Sequence, residues 1–214
     1  MYTRLSFLVS LCTIAFAGEA VAATLAAPSV EYSADRVIES DAGTMQGKVY
    51  SAKDRERTET QMQGMQSVMI VRRDKQLGWM LMPMQKMYQE VDFAKAQQQS
   101  GAAPDDQVEI TEVGAETVEG HASTKYKMMM KDGSAGGFIW MTADGIPVKM
   151  DLLSKSGRDK SRITMTLRNV QIGEQDPQLF EIPAGYTAMP SFGFGKGKGL
   201  GGALKGAFSN FAGR

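Results

Sequence analysis

The sequence predicts a mainly β chain, a curved antiparallel sheet of about ten or eleven strands with one or two short helices. Three observations predict it. First, two runs alternate strictly: Ile146, Val148, Met150 and Leu152 oppose Pro147, Lys149 and Asp151, and Ile163, Met165 and Leu167 oppose Arg162, Thr164, Thr166 and Arg168. A strand points successive side chains to opposite faces, so each run is a half-buried strand with one apolar and one wet side. Second, Asp144-Gly145 separates the first run from Gly136–Met141 and reads as a hairpin turn. Third, turn signals recur about every ten residues along the body, the rhythm of an antiparallel meander, sandwich or barrel.

Val30, Tyr32 and Ala34 open an alternating strand that runs towards Ile38, and Asp41-Ala42-Gly43 turns it. Met45 to Ser51 returns. Arg55 to Gln61 is nearly all polar; its threonines favour a strand and its charges a solvated or edge position. Ser67–Arg72, Leu77–Met82 and Lys86–Val91 are short strands, separated by the polar turn 73–76 and by Pro83. Asp92 suits a helix N-cap and the alanines and glutamines to Ser100 suit a short helix. Strands resume at Val108–Val113, Thr117–Gly120 and Ser123–Lys131, and Asp132-Gly133 leads back to the opening runs. Asp176 to Phe180 is a helical-turn candidate, and Ile182–Tyr186 a closing extended segment.

The chain has 214 residues, 24 basic and 24 acidic, so its formal net charge is zero. A nucleic-acid binder would carry a basic excess, and none is present. Residues 1–22 read as a signal peptide: Arg4, an apolar run from Leu5 to Ala17 too short to span a bilayer, and Ala20-Val21-Ala22 as the cleavage site. The expected location is the periplasm. Cys12 lies inside that leader, so the mature chain is expected to lack cysteine. Residues 23–188 form the expected β domain. Residues 189–214 are rich in glycine and carry Lys196, Lys198, Lys205 and Arg214 with no acid. They are expected to be a disordered tail. Phenylalanines and leucines between those charges make weak contact with an anionic membrane a further expectation, beside that of an inert tail. Gly197-x-Gly199-x-x-Gly202 formally matches a dinucleotide fingerprint, but no strand precedes it and the βαβ context is absent.

Several segments together resemble a known superfamily. Lys75…Gly78-Trp79-Met80-Leu81…Pro83…Lys86…Tyr88 is similar to a stretch of periplasmic lipoprotein-carrier-like (LolA/LolB-like) proteins. Gly120-His121-Ala122…Tyr126, Trp140 before Asp144-Gly145-Ile146-Pro147-Val148-Lys149, and Phe180-Glu181-Ile182-Pro183-Ala184-Gly185-Tyr186 fit its later strands. The match covers about residues 30–187 and falls on a domain-of-unknown-function branch. The resemblance implies an unclosed β-barrel around a hydrophobic cavity, and a carrier rather than an enzyme. No individual functional residue of the carriers carries over.

The chemistry is sparse. His121 is the only histidine, and no nucleophile elbow accompanies it, so no catalytic residue is assigned. Asp105-Asp106 and Glu116…Glu119 read as solvated loop acids. No zinc, EF-hand or P-loop spacing exists, so no metal site or cofactor is assigned. Methionine is abundant, at 16 residues, in three groups: Met62, Met65 and Met69; Met80, Met82, Met84 and Met87; and Met128, Met129 and Met130. Thioethers suit Cu(I), and they also fill cores and line adaptable grooves. The preferred expectation is a cavity for a lipid, acyl chain or other apolar ligand. Its wall would comprise Trp79, Leu81, Tyr126, Met128, Met130, Phe138, Trp140, Met150, Leu152, Met165 and Leu167. A copper-binding protein and a structural protein with a filled core remain as alternatives.

Overall fold

The computed structural model describes residues 25–62, 64–92, 107–156 and 159–189. The expected signal peptide, the helix expected over 92–100 and most of the basic tail lie outside them, apart from Asp92, the last residue of a strand. The described chain is one curved antiparallel sheet that does not close into a barrel. Its strands are β1 (Tyr32–Ser40), β2 (Gly43–Ala52), β3 (Arg55–Met62), β4 (Met65–Arg72), β5 (Leu77–Met82), β6 (Met87–Asp92), β7 (Val108–Val118), β8 (His121–Met130), β9 (Ala135–Met141), β10 (Pro147–Ser156), β11 (Asp159–Ile172) and β12 (Thr187–Ala188). The order across the sheet is β12-β6-β5-β4-β3-β2-β1-β11-β10-β9-β8-β7. Two meanders, β1–β6 and β7–β11, thus meet where β1 pairs with β11. Among the described residues the helical elements are short 3-10 turns, at 73–75, 83–85 and 177–180.

Local chemistry accounts for the connections. Gly145 (φ +79°) provides the left-handed position of the hairpin between β9 and β10. Turns 73–75 and 83–85 are built alike. Each ends on a non-glycine residue in the left-handed region, Gln76 and Lys86, whose N–H returns to the first carbonyl of the turn. Asp176 caps the third turn by accepting from the Gln178 N–H at 2.9 Å.

Two sequence expectations are corrected. In place of the two strands expected over residues 108–120, β7 is one strand that absorbs a bulge between Glu112 and Gly114. The polar strand β3 is not at an edge: it pairs with β2 on one side and β4 on the other. Its polarity has another cause, because each of its faces contributes to a side-chain network described below.

Directly paired residues in antiparallel strands share a face, so the register sorts side chains into a front and a back. One front row runs Tyr126–Ile139–Met150–Met165–Ile38–Met45 across β8, β9, β10, β11, β1 and β2. These residues anchor the larger core, with Ile139 fully buried and Met150 and Met165 nearly so. Burying such a side chain contributes roughly 1.5–3 kcal/mol. A second core lies on the back of β4 and β5, where Val68, Ile70, Trp79 and Leu81 pack with Phe180, Leu179, Ile182 and Tyr186. The C-terminal segment 177–188 is therefore a strap across the back of the first meander, ending in the parallel pairing of β12 with β6.

Candidate functional site

The register places the expected wall residues on two different faces. Tyr126, Met128, Met130, Met150, Leu152, Met165 and Leu167 lie on the front, in neighbouring strands. Trp79 and Leu81 lie on the back, in pairs with Ile70 and Val68 and under the strap. Phe138 and Trp140 also point to the back, in pairs with Asp151 and Lys149.

Trp140 is closed in on that side. Lys125 Nζ sits 4.8 Å and Lys149 Nζ 4.9 Å from its ring centre, and its indole N–H donates to Glu116 at 2.9 Å. Lys125 also lies 4.6 Å from the Phe138 ring and 3.4 Å from Glu116. Hydrogen bonding from Trp140 holds the Glu116 carboxyl below the usual range. Glu116 is thus exposed, as the sequence suggested, but it lies in a strand rather than a loop and accepts from Trp140. Trp140 is 4% exposed, so its environment is that of a packing residue. His121 is half-buried at the start of β8.

Strands β4–β6 carry front residues outside the expected wall, four of them from the methionine groups noted in the sequence. There Met69 pairs with Met80, Met82 with Met87, Val71 with Gly78, and Gly78 with Val91. Met69, Val71, Met80, Met82, Met87 and Val91 are all only half-buried. They form an apolar, methionine-rich surface that no described segment covers, whereas the back of the same strands is closed by the strap. The signal was present in the methionine spacing of β5. It pointed to no face because Trp79-Met80-Leu81-Met82 is apolar at both parities.

A polar strip on the front separates this surface from the larger core. Arg36 interrupts the apolar parity of β1, between Ala34 and Ile38. It pairs with Gly47, and Gly47 pairs with Thr60. The missing side chain at Gly47 lets the guanidinium cross β2 and donate to Thr58 Oγ1 at 3.4 Å and Thr60 Oγ1 at 3.3 Å. A Cβ at Gly47 would overlap the Glu59 carbonyl oxygen and lie 2.7 Å from its carbon. Thr58 donates to Glu56 at 3.3 Å, and Glu56 pairs with Arg73 at 3.5 Å. Burial lowers the pKa of Arg36 and raises that of Tyr32, which shares a hydrogen bond with Ser51 in the same strip.

The strap is held by charge as well as by Phe180. Arg72, nearly buried, bonds Asp74 at 2.7 Å, the Phe180 carbonyl at 3.3 Å and the Glu181 carboxylate. Arg57 donates to the Leu179 carbonyl at 3.1 Å, and Arg55 lies over the Phe180 ring at 5.2 Å. An open depression of about 510 Å³ beside β1–β3 has polar walls, including Asp35, Lys48, Glu59 and Asn169. Both of its acids are already engaged, Asp35 by Lys48 and Asn169 and Glu59 by Arg57. It is ill suited to an apolar ligand. Among the described residues no three of His, Cys, Asp and Glu converge to hold a metal.

The architecture is thus an unclosed antiparallel sheet with one apolar face only partly covered. The chain belongs to the family described as a domain of unknown function (DUF4412), whose model matches residues 36–144. This agrees with the domain-of-unknown-function branch that the sequence resemblance indicated. No curated protein matches the chain. Among solved structures it is similar to an uncharacterized conserved protein from Thermus thermophilus, with 12% identity, 75% of this chain and 90% of that one covered, and a TM-score of 0.54. That likeness shows the fold alone. It is also similar to Pseudomonas aeruginosa MucB in complex with MucA, at 14% identity and TM-score 0.49, covering 72% of this chain and 56% of that one. A putative outer membrane lipoprotein-sorting protein domain from Vibrio parahaemolyticus follows, at 11% identity and TM-score 0.34, with 70% and 89% covered.

Proposed function

We propose that this protein is an exported, non-enzymatic binding protein that takes a lipid, acyl chain or other apolar ligand on the front face of β4–β6. The supporting observation is that Met69, Val71, Met80, Met82, Met87 and Val91 form one half-exposed apolar surface. Methionine side chains are flexible and polarizable, which suits a surface that accepts chains of varying shape. The seven front residues expected from the sequence continue that face beyond the polar strip, where Met150, Met165 and Leu167 are buried in the larger core. The N-terminal leader pattern supports export to the periplasm.

Native mass spectrometry of gently purified protein tests this reading, with a co-purified lipid as the expected result. Binding of a fluorescent acyl probe is expected to weaken in Met80→Asp while the β signal in circular dichroism is kept. A protein that carries no lipid and binds no acyl probe would refute the reading.

One observation favours a second reading. The register brings the thioethers of Met69, Met80, Met82 and Met87 to one face of three neighbouring strands, and soft ligands suit Cu(I). Competition with a soft Cu(I) chelator separates the two. A tight complex lost in Met80→Leu with Met82→Leu would favour copper over an acyl ligand.

A further inference from the structure

We infer that the ligand is an amphiphile with an anionic head group, and that Arg36 is the residue that receives it. The inference rests on the apolar surface of β4–β6 being a ligand site and names the chemistry at its inner end.

Arg36 differs from the other described arginines. Arg57, Arg72, Arg73, Arg162 and Arg168 each have a carboxylate partner, and Arg55 lies over the Phe180 ring. Arg36 has only two threonine hydroxyls, both at long distance. Glu56 is the acid in its field, but that carboxylate accepts from Thr58 and pairs with Arg73. A guanidinium drawn into an apolar face with neutral partners is costly to keep. Its planar fork still has unused donors, in the arrangement that grips a carboxylate or phosphate in two places.

Position supports the same conclusion. The fork reaches Thr58, and Thr58 pairs with Met69, the first methionine of the half-exposed surface. From β3 to β6 is three strand spacings, roughly 14 Å, the length of a medium acyl chain lying across the strands. On the other side of Arg36 lie Leu167 and the closed core. A head at Arg36 therefore directs the chain towards β6.

The test measures the affinities of dansyl-undecanoic acid and of its methyl ester for the wild type, Arg36→Gln, Arg36→Lys, Thr60→Val and Met80→Asp. The acid is expected to bind the wild type about tenfold more tightly than the ester. Arg36→Gln is expected to erase that preference with the ester unaffected, Arg36→Lys to keep part of it, and Thr60→Val to reduce it. Met80→Asp is expected to weaken both probes. Lysophosphatidic acid as competitor tells the sources apart: stronger displacement than by the fatty acid assigns the head to phosphate, weaker displacement to carboxylate. Equal binding of acid and ester by the wild type, or equal weakening of both in Arg36→Gln, would overturn the anionic head while leaving the apolar site in place. Failure of both probes to bind the wild type would refute the site and the head group together. Because Arg36→Gln removes an unpaired charge, its melting temperature is expected to equal or exceed that of the wild type, which separates lost recognition from lost folding.

Discussion

The front face of β8–β11 and the front face of β4–β6 are made of similar residues and end in different states. Ile139, Met150 and Met165 in the first are buried, while Met69, Met80 and Met82 in the second are half-exposed. The first set closes onto β1 and β2, whose own apolar side chains complete a filled cluster. The second set is backed by a strap that packs on Trp79 and Leu81 from the opposite side, and among the described residues no segment covers the front of the same strands. A strand with apolar side chains on both faces can bury one and offer the other. The comparison teaches that methionine here has two physical roles, filler in one half of the sheet and adaptable surface in the other.

The largest expected effect comes at the join between the halves. Gly47→Val places a side chain into the backbone of β3 and is expected to destabilise by about 3 kcal/mol in urea unfolding. An unchanged midpoint would mean that β2 and β3 do not approach as closely as described. Truncation to alanine should then separate the two halves. Met165→Ala leaves a cavity in a filled core and is expected to cost about 3 kcal/mol, whereas Met80→Ala is expected to cost less than about 1 kcal/mol. Similar losses at both sites would break the distinction between filler and open surface.

A smaller effect concerns the strap, through pH. Hydrogen bonding from Arg72 holds the Asp74 carboxyl below its usual range. A carboxylate whose folded pKa is depressed contributes stability that is present above its unfolded value and lost as pH falls through the folded one. Stability from the Arg72–Asp74 pair is therefore expected to hold at neutral pH and decline below about pH 4. Arg72→Met is expected to lower the melting temperature at pH 7 and to flatten this acid limb. Parallel pH profiles for the two proteins would show that the latch is only packing. The smallest expected effect is that of Met84→Leu, at an exposed turn tip outside the proposed surface, where acyl-probe affinity is expected to stay within about twofold of the wild type. A larger loss would extend the binding surface to the turn.

Much of the fold could be read from the residues. The alternation in β1, β10 and β11, the Asp144-Gly145 hairpin and the Asp176 turn all reappear as expected. Front and back could be told apart within β10 and β11, because polar and apolar residues alternate there. In β5 they could not, since both parities are apolar, and Trp79 and Leu81 occupy the side opposite the one expected. Trp140 misled for a different reason: its polar neighbours Lys125, Lys149 and Glu116 come from three other strands. Arg36 was detectable as a charge on the apolar parity of β1, although its reach to Thr58 and Thr60 depends on Gly47 in the strand between.

The sequence by itself determined that the chain is a meander of short strands with sharp turns, because alternation and turn chemistry are set by residues adjacent in the chain. Only the tertiary structure decided which parity of β5 faces the methionines of its neighbours, that β3 is interior, and that the strap closes the back of β4 and β5 rather than the front. Those choices depend on hydrogen-bond register between strands far apart in sequence, and a shift of one residue would move every side chain of a strand to the opposite face.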